Sequence, residues 1–179
     1  MNNIYLFVGP SGVGKTTIMD ALAAQYGYSI LESYTDRPRR FAGEKGRTFL
    51  SPVEFDALRD VFAYTEFDGH RYGITSAMLD DADLYNVDIP GVRDIQSGYT
   101  GKKGIVVFGL TEDTVVLRAR MMARGDSAEQ AVERVVHDAK AFRDLHDVST
   151  HYIKASDLVA TIDFIKEAID FHERQPIKE

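Results

Sequence analysis

The stretch Gly9-Pro10-Ser11-Gly12-Val13-Gly14-Lys15-Thr16, directly behind the apolar run Ile4 to Val8, constrains this chain more than any other feature. It satisfies each fixed position of a phosphate-binding loop. Such a loop needs a buried strand to deliver it and a helix to receive it, so it implies a parallel α/β sheet with the loop at a strand's carboxyl end. Glycines at 9, 12 and 14 let successive backbone N–H groups turn toward phosphate oxygens, and the following helix adds its positive end. In that geometry Lys15 reaches the β and γ phosphates of a nucleoside triphosphate, and the Thr16 hydroxyl ligates the bridging Mg²⁺. A chance match somewhere in 179 residues is roughly one in a hundred on background frequencies. Context lowers this further, because Lys15 to Tyr26 carries Ile18, Met19, Leu22 and Ala23 on one helical face. The pattern therefore predicts nucleoside triphosphate binding by Gly9, Pro10, Ser11, Gly12, Val13, Gly14, Lys15, Thr16 and Thr17.

A chain of 179 residues with 44% hydrophobic content suits one compact unit with small inserted lobes. It has no cysteine, which excludes disulfides, thiolate metal sites and thiol catalysis. No export signal is visible, and no window approaches the apolar length of a membrane span, so a cytoplasmic protein without membrane partners is expected. The net charge of −7 argues against a general affinity for nucleic acid. Positive charge is nevertheless concentrated at Arg37, Arg39 and Arg40, and again at Arg118, Arg120, Arg124 and Arg134, as bound phosphates would require. The five histidines form no metal-ligand spacing.

Apolar runs at Leu84 to Ile89, Gly104 to Leu110 and His151 to Lys154 predict strands buried on both faces. Helices are predicted over Asp113 to Arg124, Ala128 to Leu145 and Leu158 to Phe171. Ser127-Ala-Glu-Gln130 and Ser51-Pro-Val-Glu54 read as capping boxes. Between Ser33 and Thr75 the character changes to Gly-rich turns and aromatics, Phe49, Phe55, Phe62, Tyr64, Phe67 and Tyr72 among them. This predicts an inserted lobe whose aromatics form a small core under a short antiparallel sheet. Tyr72 is the exception, placed in a Gly69-His-Arg-Tyr-Gly73 turn where its phenol can donate to a phosphate or base.

Four stretches together resemble the guanylate kinase family over essentially the whole chain: Gly9 to Thr17, Ser33 to Glu44, Gly69 to Gly73, and Val87 to Val92 with the arginine-bearing helices that follow. The resemblance implies a P-loop NTPase parallel sheet flanked by helices, with an inserted small α+β acceptor-binding lobe and a helical lid. The core then takes about 1–32, 77–119 and 146–179, the lobe about 33–76 and the lid about 120–145. It further implies an ATP- and Mg²⁺-dependent kinase of nucleoside monophosphates, working as monomer or homodimer. Ser33, Arg37, Arg40 and Tyr72 fall where the family holds the acceptor phosphate, and Glu44 falls where it can orient these arginines. Arg120, Arg124 and Arg134 match its phosphate-clamping lid arginines, which with Lys15 make up the expected catalytic set. Asp88 matches a family aspartate that ligates Mg²⁺ through water or accepts from the acceptor base.

The departures concern specificity. Ala63 stands where guanylate kinases carry a glutamate that reads guanine, and Ile74 replaces a small hydroxyl residue, with Thr75 next door as its substitute and Glu66 as a second candidate. Three readings follow: a GMP or dGMP kinase, a kinase of the same family with another acceptor such as an atypical nucleotide or ribose 1,5-bisphosphate, and a non-catalytic binding module. The intact Lys15 and Thr16 argue against the last.

Overall fold

The computed structural model of the chain describes residues 1–44 and 46–175. A four-stranded parallel sheet is ordered β6 (Leu84–Asn86), β1 (Asn3–Val8), β7 (Gly104–Thr111), β8 (His151–Lys154). The period-2 alternation of β1 explains why helices must cover both faces. Tyr5 and Phe7 point into one buried cluster with α1 (Lys15–Tyr26), α5 (Thr114–Ala123), α6 (Ala128–Ala141) and α8 (Leu158–Arg174). Ile4, Leu6 and Val8 point into another with α3 (Ser76–Asp81), α4 (Ile89–Gly98) and α7 (Leu145–Val148). All five of these β1 side chains are fully buried.

A second sheet, formed entirely between α1 and α3, is ordered β3 (Thr48–Phe49), β2 (Tyr34–Thr35), β5 (His70–Thr75), β4 (Val61–Phe67), with α2 (Pro52–Asp56) beside it. It is mixed rather than antiparallel, because β2 and β3 run parallel. Its aromatics do not share one core. Phe55 is buried and takes the Arg71 guanidinium on its ring, whereas Phe62 and Ile74 insert into the second cluster of the large sheet. Tyr64 and Phe67 are exposed. Arg71 braces this sheet by donating to Asp36, Asp56 and the Pro52 carbonyl, so it faces away from Tyr72 as strand alternation requires.

Both capping boxes form as read: Ser51 with Glu54, and Ser127 with Gln130, each with both reciprocal bonds. Three expectations are corrected. Strand β8 is an edge strand with Tyr152 half exposed, since only β7 pairs with it. The helix expected over Ala128 to Leu145 stops at Ala141 and restarts as α7, which lets Leu145 and Val148 turn into the second cluster. Tyr72 lies within β5, paired with Thr35 and Thr65, while the turn is at Asp68-Gly69.

Phe62 ties the two sheets together, so Phe62→Ala is expected to cost about 3–5 kcal/mol of unfolding free energy. Phe67→Ala, at an exposed position of the same strand, is expected to change it by less than about 0.5 kcal/mol. Denaturant unfolding of the two variants provides the comparison.

Candidate functional site

The phosphate loop spans Gly9 to Gly14, between β1 and α1. Backbone packing fixes its shape. A Cβ at Gly9, where φ is +152°, would lie 2.2 Å from the Leu110 carbonyl oxygen, and one at Gly12 would lie 2.9 Å from that of Leu117. The loop thus sits directly on the ends of β7 and α5. Val13 buries its side chain in the first cluster. Its carbonyl accepts from the Arg120 guanidinium at 3.3 Å.

In front of the loop opens a cleft of about 1030 Å³. Gly9, Ser11, Lys15 and Thr16 line it on one side, and Ser33, Arg37, Arg40, Glu44 and Tyr72 line it on the other. Of the remaining loop residues, Pro10 borders a smaller neighbouring cavity, and Thr17 is exposed on α1. The two stretches that concentrate the phosphate-binding signal in the sequence therefore face one space.

On the loop side, Lys15 Nζ donates to the carbonyls of Gly9 at 2.5 Å and Pro10 at 3.1 Å. Burial is the chief reason its pKa falls to about 8; Asp138 counters this in part and Arg124 adds to it. On the opposite side Arg37 Nη2 donates to Glu44 Oε1 at 2.7 Å, while Glu44 Oε2 accepts from the Arg40 backbone at 2.7 Å. The Arg37 hydrogen bond is also the main reason the Glu44 carboxyl is held below its ordinary range. Glu44 thus fixes one edge of the Arg37 guanidinium, the arrangement that pre-orients a bidentate donor.

Arg47 was not expected here. Its guanidinium donates to Ser33 Oγ and lies 5.5 Å from the centroid of the Tyr72 ring, and it lines the cleft. A single arginine after a Gly-rich turn carries no pattern that separates it from a solvated charge. Asp138 on α6 was missed for the same reason, yet it lines the cleft and accepts from the Ser11 backbone N–H at 2.6 Å.

Several expected residues lie elsewhere. Arg120 sits behind the loop, donating to Val13, Ala155 and Ser156 carbonyls, with buried Glu112 at 3.8 Å. Arg124 pairs with Asp126 at 2.9 Å, and Arg134 is exposed on α6. Among the described residues lining the cleft, none of the three appears. Thr75 is not brought to the cleft either, because it shares the far face of β5 with Arg71 and precedes α3. Ile74 is wholly buried in the second cluster. A register shift between Phe62 and Thr65 turns Ala63, Thr65 and Phe67 toward the cleft, and leaves Glu66 outside it, accepting from the Tyr64 hydroxyl. Asp88 does line the cleft, but as the N-cap of α4 rather than the end of a strand; its Oδ1 accepts from Gly91 N–H at 2.8 Å.

Thr16 and Asp88 offer a hydroxyl and a carboxylate oxygen to the same cleft, with the Asn86 amide near Asp88. These hard oxygen donors fit Mg²⁺, which keeps several waters and relies on substrate phosphates for the rest of its shell. Among the described residues no group of three or more His, Cys, Asp or Glu is arranged to hold a metal ion. No described helix is long and apolar enough to cross a membrane.

A parallel sheet whose first strand ends in this loop, packed between helices, defines a P-loop NTPase α/β fold. Comparisons with known proteins agree. The family model for "ATPase family associated with various cellular activities (AAA)" matches residues 5–69. The guanylate kinase of Polaromonas sp. is 30% identical over 141 residues, covering 73% of this chain and 68% of that protein. That of Gloeobacter violaceus is 25% identical over 181 residues, covering 94% and 87%. A crystal structure of guanylate kinase from Anaplasma phagocytophilum shares the fold with a TM-score of 0.65 at 20% identity, covering 97% of this chain and 87% of the other. The chain belongs to the guanylate kinase family, enzymes of the nucleoside monophosphate kinase class.

The lowered Lys15 pKa predicts that triphosphate binding at this loop depends on pH. Free protein loses the Lys15 proton as pH rises through about 8, whereas a bound triphosphate holds the ammonium charged, so binding above that pH must import a proton. Isothermal titration should show ATP affinity weakening as pH rises, with proton uptake; constant affinity between about pH 7 and 9 would contradict this.

Proposed function

We propose that this chain transfers the terminal phosphoryl group of ATP directly to the phosphate of a nucleoside monophosphate, with GMP or dGMP the favoured acceptor. The observation that carries the proposal is the single cleft with a phosphate loop on one wall and Ser33, Arg37, Arg40, Arg47 and Tyr72 on the other. Two phosphate sites facing one space allow in-line attack with no covalent enzyme intermediate, because phosphoryl transfer is achieved mainly by positioning and charge neutralisation. Lys15 and the loop amides hold the donor. Arg37, pre-oriented by Glu44, holds the acceptor phosphate together with Arg40, Ser33 and Tyr72. Thr16, and Asp88 through water, would hold Mg²⁺, which would supply charge neutralisation across the donor phosphates. Arg124 and Arg134 complete the clamp only after their helices move toward the cleft, a lid role for about 120–145 against an acceptor lobe of about 33–76. Arg120 acts from behind, steadying the loop through the Val13 carbonyl.

A second acceptor reading has its own support. Ala63 gives its N–H to Asp94 Oδ2 at 2.7 Å and presents only a methyl group to the cleft, while Glu66 and Thr75 lie outside it. The base side of the cleft therefore has fewer polar readers than a guanine-selective site needs. Thr65, Asn86 and Asp88 remain. An atypical nucleotide, or a sugar phosphate such as ribose 1,5-bisphosphate, fits that thinner set.

ADP release measured with GMP, dGMP, AMP, CMP, UMP, dTMP and ribose 1,5-bisphosphate offered separately tests both. Turnover is expected with at least one nucleotide, and is expected to vanish in Lys15→Ala. Arg37→Ala is expected to raise the acceptor KM about tenfold to a hundredfold with the ATP KM unchanged. Silence with all acceptors would sink the proposal.

A further inference from the structure

Helix α6 carries its own anion to the phosphate loop. Asp138 is buried, and one of its oxygens, Oδ2, accepts from the Ser11 N–H at 2.6 Å. The other, Oδ1, lies 3.1 Å from His137 Nδ1. Burial alone would raise the Asp138 carboxyl, but these two contacts outweigh it and hold the group below its ordinary range. The loop's cation is satisfied internally as well, since Lys15 is turned onto the carbonyls of Gly9 and Pro10. The loop is thus engaged internally on both counts: a carboxylate occupies an amide at its mouth, and its ammonium occupies its own carbonyl oxygens.

We propose that Asp138 is an autoinhibitory latch, holding α6 against the loop through the Ser11 N–H and standing where it competes with an incoming triphosphate. The inference rests on the reading of Gly9 to Thr16 as a triphosphate site. Its physical basis is twofold. A backbone N–H can serve one strong acceptor at a time, and a buried carboxylate beside the loop repels the phosphate dianion that the loop is built to attract. Binding must therefore break the Ser11–Asp138 bond before the loop is open to phosphate. Arg134 lies one turn earlier on α6 and is exposed, whereas Asp138 is buried. While Asp138 is docked, that helix presents its negative residue to the loop and leaves the arginine in solvent. Nucleotide entry exchanges a lid bound through an anion for one free to present a cation.

The test is binding of a fluorescent ATP analogue with Mg²⁺ to the full chain, by equilibrium titration and stopped flow, in the wild type, Asp138→Ala, Asp138→Asn and Lys15→Ala. If the latched state leaves about one molecule in ten open, Asp138→Ala lowers Kd and raises the association rate about fivefold to tenfold. Asp138→Asn keeps the shape and an acceptor oxygen but loses the charge, so it gives a smaller gain and guards against an alanine variant that fails to fold. Binding of GMP alone is expected to be unchanged in both. Nucleotide affinity in the Asp138 variants equal to or weaker than wild type, with thermal melting unchanged, overturns the latch while leaving the triphosphate site standing. Wild-type protein that binds no triphosphate, indistinguishable from Lys15→Ala, overturns both.

Discussion

Because the α-carbon of Gly9 packs against the Leu110 carbonyl with no room for a side chain, the phosphate loop is not a flexible appendage of the sheet but a continuation of its packing. The loop side of the site takes its position from that contact. Val13 sinks into the core and Arg120 grips its carbonyl from behind, tied in turn to the Ala155-Ser156 turn that follows β8. The course of the loop backbone is consequently set by the packing of the fold itself. This is pre-organisation in the useful sense: the cost of orienting dipoles is met by folding rather than at each turnover.

The opposite wall is arranged by a different means. Two arginines of the small lobe are held by nearby carboxylates, and the choice of partner decides the role of each. Asp36 and Asp56 engage Arg71 and turn it into a brace for the small sheet, while Glu44 engages one edge of Arg37 and leaves that side chain lining the cleft. Arg71 and Tyr72 are neighbours in sequence with opposite duties because a strand sends them to opposite faces. The small sheet itself is held in place by Phe62 and Ile74, so the residue that replaced an expected polar reader is the one that anchors the lobe.

What could be read from the sequence was whatever depends on local chemistry. Helix α1 runs from Lys15 to Tyr26 as its apolar spacing requires, both capping boxes close, and Arg37 and Arg40 of the arginine cluster line the same cleft as the loop. What escaped depends on tertiary packing. The apolar period of α6 continues through Phe142 to Leu145, so nothing local marks the break that sends Leu145 into the other cluster. Glu66 was a candidate reader only if its strand shifted; the shift is real, but it turns Thr65 inward instead. Asp88 and Asp138 look alike as isolated aspartates, yet one caps a helix and the other reaches across to the loop, a distinction made by residues 127 positions apart.

The central claim is that donor and acceptor phosphates meet in one cleft. The most direct test is calorimetric titration with a bisubstrate analogue, adenosine and guanosine joined by five phosphates, beside ATP and GMP alone. Binding far tighter than either nucleotide, lost in both Lys15→Ala and Arg37→Ala, is the predicted result. Affinity no better than ATP and indifferent to Arg37 would contradict it, and would separate the two walls of the cleft into unrelated sites.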